Sequence, residues 1–190
     1  MPATEQTRAP RGGRREQLLK AAAELFAERG YATTSIDAIG AHAGVTGPAV
    51  YRHFGGKRDL LLTLLSGAVE STLADMTKAM DQGAPPAENL ELLVRQVVQH
   101  AIAERQVVSL LYGQTGALAA NDRKRVEALR DQIVATWTNA LRSARPELSP
   151  GDAMTYVRGA LSVIGGVALR EPGPNGDVIY TRMIMGLLTA

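Results

Sequence analysis

Apolar residues recur along most of this chain at intervals of three and four positions, which is the spacing of one face of an α-helix. In the first such segment, residues 14–29, this stripe consists of Leu18, Ala22, Leu25 and Phe26. The same spacing predicts helices over 57–80, 90–104, 107–119, 122–144, 149–169 and 178–188, with two short helices between 34 and 54. Because no segment alternates apolar with polar residues as a strand does, the pattern predicts an all-α protein of about nine helices.

The residues around the two short helices indicate where each begins and ends. Thr34 stands three residues before Asp37, in the form of a capping box with Thr34 as N-cap and Asp37 reaching back. Gly44 marks the turn between the helices, because glycine adopts a positive φ at little cost. Thr46 is placed to cap the second helix, and Pro48 fits its first turn. Two short helices joined in this way predict a helix-turn-helix.

This helix-turn-helix, residues 35–54, has an apolar inner side and a polar outer side. The inner residues are Ile39, Ala43, Val45, Val50 and Phe54, and Gly40 is small enough for the helices to cross beside it. The residues predicted to face outward are Thr46, Gly47, Ala49 and Arg52, flanked by Tyr51 and His53. The alternative interpretation is an ordinary helical hairpin in which Tyr51 and His53 lie at the edge of a core.

The composition excludes several kinds of site. The 190 residues contain no cysteine, which excludes disulfides, thiolate catalysis and zinc fingers. The longest uncharged apolar run, residues 160–169, is too short to span a membrane. We therefore expect a soluble, cytoplasmic protein with no membrane partner.

Positive charge is concentrated near the N-terminus. Residues 1–60 contain nine Lys and Arg against six Asp and Glu, whereas residues 61–190 contain twelve against thirteen. Four arginines, at positions 8, 11, 14 and 15, lie in the first fifteen residues. A basic, flexible arm over residues 1–11 is typical of proteins with an anionic partner, most often DNA. A solvated tail has the same composition, so charge alone leaves both interpretations open.

The run GYATTSIDAIGAHAGVTGPAVYRHFGGKRDLL resembles the DNA-binding segment of TetR-type transcriptional regulators. The matching elements are Phe26, Gly30, the Thr33-Thr34 pair, Ile39, Ala43-Gly44-Val45, Tyr51-Arg52-His53-Phe54, Lys57 and Leu60-Leu61. The resemblance is detailed over about sixty residues, and beyond them only the length and the helical pattern match. It implies an N-terminal three-helix DNA-binding domain over 12–72 and a ligand-sensing and dimerisation domain over 73–190.

The resemblance also implies which side chains meet DNA. Phosphates would be held by Thr34, Tyr51, His53 and Lys57. Arg14 and the arginines before it would enter a minor groove or pair with phosphates. Base edges would be met by Thr46, Gly47, Pro48, Ala49 and Arg52, with the Arg52 guanidinium matching guanine O6 and N7. Since Gly47 and Ala49 offer no side-chain hydrogen bond, we expect recognition to depend on Arg52, Thr46, the arm and DNA shape.

The two C-terminal helices are apolar on nearly every side, which indicates burial all round and therefore a partner surface. A core pair within a monomer is the alternative. The resemblance implies that these helices form a four-helix dimer interface between two copies. The predicted interface residues are Met154, Val157, Leu161, Ile164, Ile179, Met183 and Leu187.

The middle helices would then enclose a ligand cavity. Candidate lining residues are Met76, Met80, His100, Tyr112, Trp137 and Tyr156, with Arg105 as an anchor for an anion. Plain core packing is the alternative for each of them. His100 is the only histidine beyond the DNA-binding segment, so we expect no histidine metal site and no cofactor. A small hydrophobic or acyl-type molecule would suit such a cavity.

These observations together predict a DNA-binding transcriptional regulator that responds to a ligand. The expected form is a repressor that binds a palindromic operator as a dimer and is released by a small hydrophobic effector. The sequence contains no glycine-rich phosphate loop, metal-ligand cluster or nucleophile elbow, so we do not expect an enzyme. A helical small-molecule-binding protein or enzyme with an incidental helix-turn-helix is the alternative.

Overall fold

The structure is a computed structural model that describes residues 11–80, 83–169 and 171–190. Within these ranges the chain forms nine α-helices and a 3₁₀ turn and has no strand, which confirms the predicted all-α class. The helices are α1 Arg11–Arg29, α2 Ile36–His42, α3 Gly47–Val50, α4 Lys57–Met80, α5 Pro86–Ala103, α6 Arg105–Gly113, α7 Ala120–Ala144, α8 Pro150–Ala168 and α9 Gly176–Thr189. The predicted basic arm, 1–11, lies outside the residues whose side chains are described.

The chain divides into two compact units, the first ending at Leu61 and the second beginning at Leu62. Both residues belong to α4, a single continuous helix. The division predicted at residue 72 also falls within α4, and it stays a prediction.

The first unit packs α1 against α2 and α2 against α3. The stripe predicted on the first helix is confirmed, because Leu18, Ala22, Leu25 and Phe26 are all buried. Ile39, Val50 and Phe54 complete this core from the helix-turn-helix. The turn has the expected geometry, with Gly44 at φ +68°. Burial of these apolar side chains fixes the place of α3, which is only four residues long.

The predicted N-cap of α2 is wrong. Ser35 is the N-cap, and its hydroxyl accepts a hydrogen bond from the Ala38 amide at 3.1 Å. Thr34 is 3% exposed, and its hydroxyl donates to the Gly30 and Leu25 carbonyls at 2.8 and 3.2 Å. Thr34 therefore ties the start of α2 to the end of α1, and a cap at Ser35 leaves Asp37 one position short of a capping box.

The second unit is built around α5, which packs against α7, α8 and α9, while α6 packs against α8. Its largest fully buried side chains include Trp137, Leu93 and Leu141. The two largest differences from the predicted boundaries are at the start of α5 and at the end of α6. α5 begins at Pro86 because proline fits the first turn of a helix. α6 ends at Gly113, and a 3₁₀ turn over Thr115–Ala117 follows it instead of a longer helix.

Candidate nucleic-acid interface and small-molecule region

The outward side of α3 and of the turn after it is the candidate nucleic-acid interface. Thr46, Pro48, Tyr51 and Arg52 are exposed, and Tyr51 keeps 60% of its surface accessible. Ala49 and His53 are half-buried beside them. Thr46 stands at the N-cap of α3 as predicted, although its side chain makes no capping hydrogen bond. The end of α3 thus exposes a tyrosine and an arginine at consecutive positions.

Gly47 is buried, so the prediction that it faces outward is wrong. The reason is its contact with α2. A Cβ atom added at Gly47 would lie 1.8 Å from the Asp37 Oδ1 atom. At Gly40, a Cβ would lie 3.0 Å from the Val45 carbonyl oxygen and 3.1 Å from the Thr46 carbonyl carbon. Two small residues therefore let α2 and α3 approach closely, and this contact orients the exposed side of α3.

Two cations of the first unit hold its loops in place. Arg14 Nη1 donates to the Ala43 carbonyl at 3.4 Å, next to the turn between α2 and α3. Lys57 Nζ donates to the Ala32 carbonyl at 3.0 Å and lies 4.5 Å from the centroid of the Tyr31 ring. Because an ammonium has three donors and a guanidinium five, each of these groups keeps donors for a phosphate.

Thr34 does not present its hydroxyl to the outside. With the side chain buried and the hydroxyl bonded to two carbonyls, no donor of this group remains for the predicted phosphate contact. Ser35, which the sequence reasoning passed over, is exposed and caps α2. Three residues with a hydroxyl group precede Ile36, and any of them could cap α2. The sequence favoured Thr34 because Asp37 lies three positions after it, as in a capping box.

Each of the three best-formed cavities of the described residues is lined by at most one of the seven residues predicted to line a ligand cavity. Met76 and Trp137 are fully buried, whereas Met80 and Tyr156 are half-buried. His100 Nδ1 lies 3.2 Å from Asp75 Oδ2. The buried His100 Nε2 and Trp137 Nε1 atoms have no hydrogen-bond partner in the described structure.

Arg105 lies 3.9 Å from Glu171 at the surface, so the predicted anion anchor is paired with a carboxylate of its own chain. Tyr156 has a cation partner, since the Arg145 guanidinium carbon lies 5.6 Å from its ring centroid. Of the seven predicted residues, only Tyr112 lines the cavity described next.

A cavity of about 390 Å³ lies between α6, α7 and α8. Its lining consists of Leu111, Tyr112, Glu127, Arg130, Asp131, Ile133, Val134, Arg158, Leu161 and Ser162. The Tyr112 hydroxyl donates to the Leu161 carbonyl at 2.8 Å, and the Arg130 guanidinium carbon lies 5.2 Å from the Tyr112 ring centroid. Burial raises the pKa of Tyr112, although the charge of Arg130 acts in the opposite direction. The sequence signal that could have indicated this cavity is Arg158, one of only two charged residues on the largely apolar α8.

The predicted dimer residues fall on two different sides of α8 and α9. Met154, Ile179 and Met183 are exposed, and Leu161 and Leu187 are half-buried. Val157 and Ile164 are buried inside a single chain, because their side of α8 faces the other helices of the second unit. Their assignment to the interface was therefore wrong.

Two absences hold for the described residues. Their helices include none that is long and apolar enough to cross a membrane. They also contain no group of three or more His, Cys, Asp or Glu side chains placed to hold a metal ion.

Two family matches cover most of the helical chain. Residues 18–64, which include α2, α3 and the start of α4, match the bacterial regulatory proteins of the tetR family. Residues 83–169 match the tetracyclin repressor-like C-terminal domain. The first match contains the exposed side of α3, and the second contains the cavity between α6, α7 and α8.

Individual proteins resemble the chain over different lengths. The transcriptional activator FasR of Mycolicibacterium smegmatis is 41% identical over 73 residues, which cover 38% of this chain and only 33% of FasR. The transcriptional repressor KstR2 of Rhodococcus jostii is 27% identical over 88% of this chain and 84% of its own. The structure of AibR in complex with isovaleryl coenzyme A and operator DNA superposes with a TM-score of 0.77 at 20% identity, over 91% of this chain and 96% of AibR.

Proposed function

Because this chain belongs to the TetR family of transcriptional regulators, we propose that it is a repressor that binds a palindromic operator as a homodimer. A small hydrophobic effector then releases it from the DNA. The observation that carries this proposal is the exposure of Thr46, Pro48, Tyr51 and Arg52 on α3, at its N-cap and in the turn after it. Because it binds operator DNA, it acts in the cytoplasm, and it has no catalytic role.

Each exposed residue has a separate role on the DNA. Arg52 reads a guanine, and Thr46, Pro48 and Ala49 contact neighbouring base edges or thymine methyl groups. Tyr51 and His53 bind phosphates and set the register, because phosphate contacts position a protein without reading sequence. Lys57 and Arg14 add phosphate contacts through donors that their backbone partners leave free, and Gly47 contributes only its backbone.

The dimer surface lies on α8 and α9. Among the described residues, five of the seven exposed large apolar side chains lie on these helices or at the end of α8: Met154, Leu169, Val178, Ile179 and Met183. The concentration of exposed apolar side chains on two helices that pack together supports an interaction site there. The same surface on two copies is self-complementary about a twofold axis, which is the geometry that a palindromic operator requires.

Release by the effector requires that the two units communicate. α4 contains residues of both units, so it is the element through which a change in the second reaches the first. The effector must bind more tightly to the conformation that does not fit the operator, since equal affinity for both conformations would shift nothing. By linkage, such coupling lowers operator affinity by a factor of typically about 5–150.

Titration of purified protein against labelled genomic fragments tests the proposal. We expect preferred binding of a few fragments over random DNA at moderate salt. Affinity for all DNA should fall steeply as salt is raised, because bound phosphates release counterions. Equal binding of every fragment would refute the assignment as an operator-specific repressor.

A further inference from the structure

The cavity between α6, α7 and α8 combines apolar walls with two guanidinium groups. Its volume of about 390 Å³ is that of a small-molecule site, for which roughly 300–1,000 Å³ is usual. Leu111, Ile133 and Leu161 supply apolar lining. Arg130 reaches the cavity from α7 and Arg158 from α8. A ligand with an apolar body and a negatively charged head would find both features in one place.

Both guanidinium groups are without an ion-pair partner in the described part of the chain. No described carboxylate oxygen lies within 4.0 Å of Arg130 or Arg158, although Glu127 and Asp131 line the same cavity. Glu127 lies instead 3.9 Å from Arg123, and Asp131 is exposed. The two cations therefore keep their hydrogen-bond donors for an anion from outside the chain.

Arg130 is held in position by the aromatic ring beneath it. The Tyr112 ring lies against Gly165, where an added Cβ would come within 2.7 Å of a ring carbon. The Tyr112 hydroxyl is bonded to the Leu161 carbonyl at 2.8 Å, which fixes the ring from its other end. With the Arg130 guanidinium carbon 5.2 Å from the ring centroid, this stack orients one of the two cations before any ligand arrives.

We propose that this cavity binds an amphipathic monocarboxylate, with its head between Arg130 and Arg158 and its apolar body against Leu111 and Ile133. The guanidinium fork matches both oxygens of a carboxylate, which gives charge-assisted and geometrically specific hydrogen bonds. The assignment rests on the proposed function, because it gives the effector a site and a chemical class.

Isothermal titration calorimetry of the full chain with decanoate tests this site. Wild-type protein should bind decanoate saturably, and 1-decanol, which has the same apolar body and no charge, at least about 10-fold more weakly. The double variant R130Q/R158Q, which keeps polar side chains and removes both charges, should lose roughly 10-fold or more in decanoate affinity. The matched control R142Q removes an exposed arginine of α7 that does not line the cavity, and it should bind decanoate as wild type does.

Three results would overturn the assignment. These are an absence of decanoate binding, equal affinities for decanoate and 1-decanol, and unchanged decanoate binding by R130Q/R158Q. If the double variant instead shifts the monomer–dimer equilibrium and keeps its decanoate affinity, the arginines serve a protein contact and the assignment also fails.

DNA binding in the absence of ligand tests the proposed function separately from the carboxylate site. R130Q/R158Q should bind the preferred genomic fragment as tightly as wild type, because both arginines belong to the second unit. If wild-type protein prefers no fragment, the proposed function fails whatever decanoate does. If it does prefer one while decanoate fails to bind, only the carboxylate site is overturned.

Discussion

Substitution of Thr34 by valine separates a structural role from a DNA-binding role. Valine keeps the shape of threonine and removes its hydroxyl. In the wild-type chain this hydroxyl donates to the Gly30 and Leu25 carbonyls, and Thr34 is only 3% exposed. A net intramolecular hydrogen bond is worth about 1 kcal/mol, so the loss of this donor should destabilise the junction of α1 and α2 by about 1–2 kcal/mol. Opening of that junction should become roughly 5–30 times more frequent.

Hydrogen exchange of backbone amides in α1 and α2, followed by mass spectrometry, measures this opening in the full chain. Fluorescence would not serve, because the single tryptophan, Trp137, lies in the second unit. Ser35→Ala is the matched variant. It removes the N-cap of α2 and should destabilise that helix by about 1 kcal/mol, while the exchange of α1 changes less.

DNA binding by the Thr34 variant is the second measurement. Affinity for the preferred fragment should change little once exchange shows that the unit is still folded. If Thr34→Val instead leaves amide exchange unchanged and weakens DNA binding, the hydroxyl reaches a phosphate and the hydrogen bonds described for it are wrong.

Other substitutions test the remaining parts of the proposal. Arg52→Ala should cost about 1–3 kcal/mol of affinity and relax the preference at one position of each half-site, as measured by titration against operator variants. Tyr51→Phe should weaken binding to all DNA sequences by a similar factor, since it removes a phosphate contact. Met183→Glu, at a position 53% exposed, should give a folded monomer in sedimentation. Ile164→Glu, at a position 4% exposed, should unfold the chain instead, and a folded monomer from it would contradict the burial described here.

The positions of the helices could be predicted from the sequence because a helical pattern depends only on the spacing of apolar residues. Leu18, Ala22, Leu25 and Phe26 recur on one face of α1, and all four are buried. The class and the order of the helices follow from this kind of periodicity. Periodicity does not decide which of two neighbouring residues caps a helix. Thr34 and Ser35 both suit an N-cap, and only the packing of Thr34 against the end of α1 decides between them.

Residues of the candidate sites were harder to predict where tertiary packing decides whether a side chain is buried or exposed. α8 is apolar on most sides, so periodicity did not separate the buried Val157 from the exposed Met154. Gly47 was predicted to face outward because it lies on the exposed helix of the motif, yet its contact with Asp37 buries it. Arg130 reaches the cavity of the second unit only because α6 and α8 flank that part of α7, a neighbourhood that no local pattern encodes.

In the proposed function, a symmetric dimer presents the exposed side of α3 twice and so reads a specific operator. This can be tested by selecting binding sites for the full chain from a random DNA pool. We predict enrichment of an imperfect palindrome whose half-sites lie about 34–36 Å apart or a multiple of that distance, with Arg52→Ala relaxing one position in each half. A pool without enrichment, or an enriched site without twofold symmetry, would contradict it.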